Sequence, residues 1–142
     1  MKPFLLDVNV LIALAWPSHV HHQEAQRWFG KVRKAGFRTC PLTQTGFVRI
    51  SSNPKFMPDA VSPSDAIALL ERITGLPQHE FWPDDLQLSE ALRGEPLLIG
   101  HRQISDAYLL AIAIAHRGIL ATFDQAVLSL SGAKNGCVDL LQ

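Results

Sequence analysis

Short segments with the composition of β-strands alternate along the chain with longer segments of helical periodicity. The first of them is an apolar run that ends in an acid, so Asp7 lies at the carboxyl end of a buried strand. The predicted strands are Pro3–Asp7, Phe37–Cys40, His79–Trp82, Ile119–Thr122 and Cys137–Leu140.

The segments between these strands have the apolar spacing of helices and residues that favour helix ends. We expect Ser18, Ser62 and Ser105 to cap three helices, and Asp84 or Asp85 to cap a short one, because short polar side chains satisfy free N–H groups of a first turn. The predicted helices are Val8–Ala15, His19–Lys34, Leu42–Ser51, a helix from Pro63 to about Thr74, a short helix ending near Leu92, and Asp106–His116.

Strands that alternate with helices predict a parallel sheet connected by helical crossovers. We therefore predict an α/β fold with four to five parallel strands and helices on both faces. A length of 142 residues fits one domain, residues 1–142. In such sheets the working site lies where the strands end at their carboxyl side.

The composition narrows the function classes. Lys plus Arg and Asp plus Glu each number 13, so the net charge is zero. This balance disfavours a protein that binds a long stretch of duplex nucleic acid.

Cys40 and Cys137 lie in strand-like segments without a metal-ligand spacing, which indicates two buried free thiols in a reducing compartment. Polar residues interrupt the apolar N-terminus, so we expect a cytoplasmic protein without a membrane segment.

Three acids lie where this fold would gather functional groups. Asp7 ends the first strand, Asp124 follows a later strand, and Asp106 opens a helix. Asp106 also suits a helix dipole, and Asp124 also suits a turn, so each of them has a purely structural alternative. Asp7 is harder to explain without a partner, because a buried carboxylate is costly.

Three carboxylates at one point repel each other unless a cation lies between them. Hard divalent ions such as Mg²⁺ or Mn²⁺ prefer these oxygen ligands, and they can activate water against a phosphodiester. Asn9 and Thr122, each two residues from one of the acids, are predicted to support the site by hydrogen bonding.

Several motifs resemble those of the PIN-domain nucleases, and of the VapC toxin branch of that family in particular. The opening segment Asp7-Val8-Asn9-Val10-Leu11-Ile12 resembles the first motif of the family. The other matching segments are Pro41–Ile50 with Ser52-Asn53-Pro54, Ile104-Ser105-Asp106-Ala107-Tyr108-Leu109, and Ala121-Thr122-Phe123-Asp124. Their order and spacing cover nearly the whole chain.

The resemblance implies a PIN-like three-layer fold and a Mg²⁺- or Mn²⁺-dependent endoribonuclease that acts as the toxin of a toxin–antitoxin pair. It also implies a cognate antitoxin protein, an RNA substrate and a homodimer. By position, Asp7, Asp106 and Asp124 match the catalytic metal-site acids of the family, and Asn9 and Thr122 match its supporting residues.

One position departs from the family pattern. Many members carry a glutamate on the helix after the second strand, where this chain has Gln44, Thr45 and Gly46. Asp84, Asp85 or Glu95 could replace it, but no spacing argument selects any of them. The missing acid favours a second hypothesis, a catalytically weak or inactive PIN-like module that binds RNA or protein.

Other residues leave alternatives open. Arg49 and Arg102 are candidates for substrate phosphate contact, although Arg102 also suits an exposed loop. The residues His19, His21 and His22 are interpreted as a surface or partner-contact cluster, because they lack a zinc-ligand spacing. The main basic concentration could steer RNA or form a solvated helix face. It consists of Arg27, Lys31, Arg33, Lys34 and Arg38.

Overall fold

The computed structural model contains a five-stranded sheet in which all neighbouring strands run parallel, in the order β3-β2-β1-β4-β5. The structure describes residues 1–95, 98, 100–130, 132–133 and 136–142, without the side chain of Arg102. The strands are β1 (Phe4–Leu6), β2 (Phe37–Thr39), β3 (His79–Phe81), β4 (Ile119–Thr122) and β5 (Val138–Leu140). The α-helices are α1 (Val8–Ala15), α2 (His22–Val32), α3 (Pro41–Ser51), α4 (Pro63–Thr74), α5 (Leu88–Ala91) and α6 (Ile104–Ala115).

The central strand β1 divides the core in two. Leu5 packs with α6 on one face of the sheet, whereas Phe4 and Leu6 pack with α1, α2, α3 and α4 on the other. Alternation of side chains along a strand sends successive residues to opposite faces, so three consecutive apolar residues supply both cores. The predicted three-layer α/β fold is confirmed.

The predicted helices all exist in the described residues, but three predicted caps are wrong. Helix α2 begins at His22 rather than after Ser18, and Val20 is 85% exposed instead of packing into the core. The imidazole Nδ1 of His22 lies 2.7 Å from the Ala13 carbonyl oxygen, which anchors the first turn of α2 to α1. A long-range contact therefore fixes this helix start, and the local capping preference does not.

The other two wrong caps have different causes. A 3-10 turn at His101–Gln103 leads directly into α6, so Ser105 is already inside the helix. Helix α5 is preceded by Gln87, because the segment before it is held against α6 by the Tyr108 hydroxyl, which donates to the Leu86 carbonyl at 2.7 Å. The cap at Ser62 is confirmed, since its hydroxyl accepts from the Asp65 N–H at 3.1 Å.

Two further expectations can be compared with the fold. Cys40 and Cys137 are both buried free thiols, as predicted. Among the described residues, no helix is long and apolar enough to span a bilayer.

Helices α1 and α3 approach closely at Gly46. A Cβ on Gly46 would lie 2.6 Å from Cγ2 of Val8, the residue that follows Asp7. Valine is stiff at χ1, so one of the two helices would have to move. The missing side chain at Gly46 therefore allows α3 to pack beside the start of α1.

We predict that Gly46→Ala lowers the free energy of unfolding by about 1–2 kcal/mol, because overpacking outweighs the gain in helix propensity. Urea unfolding measures this loss, and the added substitution Val8→Ala should recover part of it. Gly30→Ala is the matched control, because Gly30 lies inside α2 where a Cβ meets nothing within 4 Å. It should stabilise the protein by about 0.5–1 kcal/mol. Equal effects at both glycines would contradict the packing argument.

Candidate active site

Asp7 lies between the end of β1 and the start of α1, where it is the N-cap residue of the helix. Its Oδ1 accepts a hydrogen bond from the Val8 N–H at 2.7 Å, and its Oδ2 accepts one from the Thr122 hydroxyl at 2.7 Å. The side chain is almost fully buried. Both oxygens therefore have a donor, which lowers the cost of a buried carboxylate and fixes its orientation.

The register of β1 and β4 explains why Thr122 reaches Asp7. Leu6 pairs with Ala121, so the next residue of each strand, Asp7 and Thr122, are neighbours at the carboxyl edge of the sheet. The Thr122 hydroxyl also accepts from the Asp124 N–H at 3.0 Å. One buried hydroxyl thus connects two of the three predicted acids.

Asp124 caps a short 3-10 helix, Gln125–Ser129, and its Oδ1 accepts from the Ala126 N–H at 2.9 Å. The structural alternative for Asp124, a turn residue after a strand, is therefore correct as a description of its backbone. It does not compete with a functional role, because the same residue interacts electrostatically with Asp7 and Asp106.

Asp106 lies in the first turn of α6 and is electrostatically coupled to the other two acids. Burial, followed by the negative charges of Asp7 and Asp124 and a hydrogen bond with the Asp124 carboxyl, raises the pKa of Asp106 to about 7. Burial also raises the pKa of Asp7, although its hydrogen bonds from Thr122 and Val8 oppose this and the charge of Asp124 adds to it. The structure brings the three predicted acids together.

The chemistry of these donors fits a hard divalent cation. All three are carboxylates, and their mutual repulsion is the kind that a cation between them relieves. Among the described residues, no three His, Cys, Asp or Glu side chains are positioned as a metal-ligand group, so the carboxylates would have to move closer together to hold an ion. The ion would also have to displace the proton between the Asp106 and Asp124 carboxyl groups.

The predicted supporting residues differ in their positions. Thr122 is fully buried and contacts Asp7 directly. Asn9 is exposed on α1 and makes no side-chain hydrogen bond with Asp7 in the structure. The Val8 N–H donates to Asp7 instead. The sequence could have indicated this backbone contact, because Asp7 directly precedes a predicted helix and aspartate is a favoured N-cap residue.

Of the two candidate phosphate contacts, Arg49 is exposed on α3 and forms no ion pair with any acid of the described residues. The side chain of Arg102 lies outside the described residues, and its backbone is in the 3-10 turn before α6.

The helix position of the missing family glutamate is occupied by residues that contact other elements. The Gln44 amide donates to the Thr39 hydroxyl at 3.0 Å, and that hydroxyl lies 2.7 Å from Nε2 of His79. Asp85 contacts His116 at the far end of α6 from Asp106, so it is not a replacement for the missing acid.

Most of the basic concentration lies away from these acids. Arg33, Lys34 and Arg38 line a polar cleft beside Gly36 and Gln78, at the amino ends of β2 and β3. The acids lie at the opposite, carboxyl edge of the sheet. The prediction that this concentration could steer RNA therefore has no support from its position.

The fold agrees with comparisons to known proteins. The chain belongs to the PIN-domain family, whose sequence profile matches residues 4–132. Within it, the chain belongs to the VapC ribonucleases: it is 46% identical to ribonuclease VapC39 of Mycobacterium tuberculosis over 138 residues, which cover 96% of this chain and 98% of the relative. Ribonuclease VapC38 of the same organism is 45% identical over 128 residues, or 89% of each chain.

Solved structures share the fold at low sequence identity. The crystal structure of VapBC2 from Rickettsia felis, bound to a promoter DNA fragment, matches with a TM-score of 0.67, 12% identity and 99% coverage of each chain. Mycobacterium tuberculosis VapC20, described as a sarcin-ricin loop cleaving toxin, matches with a TM-score of 0.64, 14% identity, and coverage of 98% of this chain and 99% of the neighbour.

We predict that Thr122→Val lowers the free energy of unfolding by about 1–3 kcal/mol, because it leaves the buried Asp7 carboxylate without one of its two donors. Urea unfolding at pH 7 in EDTA measures the change. Thr122→Ser keeps the hydroxyl and is the control, with a smaller loss. If valine and serine were equivalent, the hydrogen bond to Asp7 would not carry the stability assigned to it.

We predict that Asp106→Asn raises the free energy of unfolding of the metal-free protein by about 1–2 kcal/mol at pH 8, after allowance for solvent screening of this half-buried group. The substitution removes one of three repelling charges. Asp65→Asn is the matched control. Asp65 is also the third residue of its helix, but it is not one of the three neighbouring acids. It should leave stability unchanged or slightly lower it through the helix dipole. A loss at Asp106 would contradict the proposed repulsion.

Proposed function

We propose that this chain is a metal-dependent endoribonuclease that hydrolyses RNA and acts as the toxin of a toxin–antitoxin pair. The observation that carries the proposal is the joining of Asp7, Asp106 and Asp124 at the carboxyl edge of the sheet, in a chain closely similar to ribonucleases named VapC.

The cofactor we propose is Mg²⁺ or Mn²⁺, held by Asp7, Asp106 and Asp124. When bound, such an ion supplies an activated water and neutralises charge that develops on a phosphodiester oxygen. The number of ions, one or two, follows from how many carboxylate oxygens are free. Asp7 uses both of its oxygens as hydrogen-bond acceptors, which favours a small number.

The residues of the chain have separate tasks in this proposal. Thr122 and the Val8 N–H keep Asp7 in one orientation, so little rearrangement is needed when the cation arrives. Asn9, exposed beside Asp7 on α1, is proposed to orient a water or a phosphate oxygen rather than the carboxylate. Arg49, which has no ion-pair partner among the described residues, is proposed to hold substrate phosphate together with Arg102.

The proposed partner is an antitoxin protein, because structural neighbours of this chain come from VapBC and FitAcB assemblies. A mainly apolar groove at the start of α6 suits the apolar face of a partner helix. It is lined by Leu42, Leu86, Leu88, Ile104 and Tyr108, together with the polar residues Asp84 and Ser105. A basic side chain of the partner could then reach the carboxylates. We also propose that the pair acts in the cytoplasm and that the toxin forms a homodimer.

A second candidate function is a weak or inactive PIN-like module that binds RNA or protein. The observation that favours it is Gln44, which stands in the region of the family glutamate and donates its amide to Thr39. A site with one carboxylate fewer binds a metal ion less tightly. A measurement of metal affinity therefore distinguishes the nuclease from the binding module.

We expect the purified protein to cleave a structured RNA pool with Mg²⁺ or Mn²⁺ and not with EDTA. Asp7→Asn should reduce the cleavage rate at least about 100-fold, because it removes charge from the ion and weakens its binding. Gel analysis of labelled RNA measures both. Asp139→Asn is the control: Asp139 accepts from the Trp28 indole N–H at 2.9 Å, on β5 rather than at the acidic edge.

The outcomes separate the candidates. Equal cleavage by wild type and Asp7→Asn would identify a contaminant. Absence of cleavage by folded, antitoxin-free protein, together with no Mn²⁺ binding by calorimetry, would favour the binding module. Tight Mn²⁺ binding that is lost in Asp7→Asn would keep the nuclease proposal and point to a restricted RNA target.

A further inference from the structure

A row of rings begins next to the acidic edge and continues toward the start of α2. The Phe123 ring stacks on the His21 imidazole, with ring centroids 4.9 Å apart and planes 22° apart. The next ring is that of His19, whose centroid lies 5.8 Å from that of His21 at a tilt of 45°. We call Phe123, His21 and His19 the ring row.

The ring row is tied to the acidic site by the chain itself. Phe123 lies between Thr122, which donates to Asp7, and Asp124, which is coupled to Asp106. Consecutive Cα atoms are about 3.8 Å apart, so the Phe123 backbone is fixed beside two residues of the site. The row therefore starts from the same chain segment as two residues of the acidic site.

The ring row is stable in position but not sealed from solvent. Phe123 packs against the core that contains α1 and α3, and the imidazole Nδ1 of His21 lies 3.3 Å from Oε1 of Glu24. The His21 side chain is nevertheless 43% exposed. The His19 ring is tilted by 45° to the His21 ring and does not stack flat on it, so part of the His21 ring surface remains open to a further ring.

We propose that the ring row, and His21 in particular, is a stacking platform for an RNA base next to the cleaved phosphodiester. This inference rests on the proposed function and assigns how substrate is positioned at the same site. His21 is a positioning residue here, since it contacts a base and not the reacting atoms.

Stacking explains features that an alternative metal role does not. The imidazole face of His21, not its nitrogen atoms, is the part paired with Phe123. Base stacking on an aromatic ring accepts any base, so the platform would add affinity with little sequence preference. Base selection would then have to come from other contacts.

The test compares RNA binding with and without bases. The probes are a fluorescein-labelled, mixed-sequence octaribonucleotide and an abasic octamer with the same phosphates, titrated in Ca²⁺ buffer with the RNA checked for integrity afterwards. We expect His21→Ala to weaken binding of the base-bearing octamer about 5- to 50-fold and to leave the abasic octamer unchanged, because base–aromatic stacking has this size. His21→Phe should bind within about 3-fold of wild type.

His116→Ala is the matched control. The His116 imidazole also stacks on an aromatic ring, that of Trp82, with centroids 4.8 Å and planes 18° apart. It lies ten residues after Asp106 along α6, or about 15 Å away. His116→Ala should therefore bind both octamers as wild type does, and thermal melting checks that each variant is folded.

The platform is overturned if His21→Ala binds the base-bearing octamer as tightly as wild type does, or if it loses affinity equally for both octamers. In either case the nuclease proposal stands as long as the wild-type protein cleaves RNA. A His21-dependent preference for bases in a protein that cleaves no RNA supports the platform and removes the nuclease. A wild type that binds neither octamer overturns the platform, and the nuclease proposal is then decided by the cleavage and Mn²⁺-binding assays.

Discussion

The buried carboxylate of Asp7 is the constraint on which the rest of this site depends. It ends the central strand, caps α1 through the Val8 N–H and accepts from Thr122 on the neighbouring strand. These contacts join β1, β4 and α1 at one point. A carboxylate in an apolar surrounding is tolerated only with such donors, so the position of Asp7 dictates what its neighbours must be.

The acidic edge combines contacts that stabilise the fold with charges that destabilise it. Thr122 and Val8 lower the cost of the buried Asp7 charge, but the acids beside it raise that cost again. Burial, together with the charges of Asp7 and Asp124, raises the pKa of Asp106 to about 7. A fold optimised for stability alone would not gather these three side chains. Their repulsion at the carboxyl edge is the physical reason for proposing a cation at this site.

The sequence predicted the layers and the acids well because both follow from short-range patterns. An apolar run that ends in Asp7 specifies a buried strand, and parallel pairing then brings Thr122 beside it. Two of the three wrong helix caps arose where a contact with another element decides the outcome. His22 reaches back to the Ala13 carbonyl and sets the start of α2, and no local rule favours His22 over Ser18. The stacking of His21 on Phe123, 102 residues away in the chain, was missed for the same reason.

The residues in the region of the missing glutamate contact other elements of the fold. Gly46 allows α3 to pack against Val8, and Gln44 uses its amide on Thr39 at the end of β2. Both residues therefore serve contacts between elements where many relatives are expected to carry a ligand. With fewer carboxylates, the positive charge of a bound ion is less fully neutralised by the protein. Substrate phosphate then becomes a more important ligand, which links metal binding to RNA binding at this edge of the sheet.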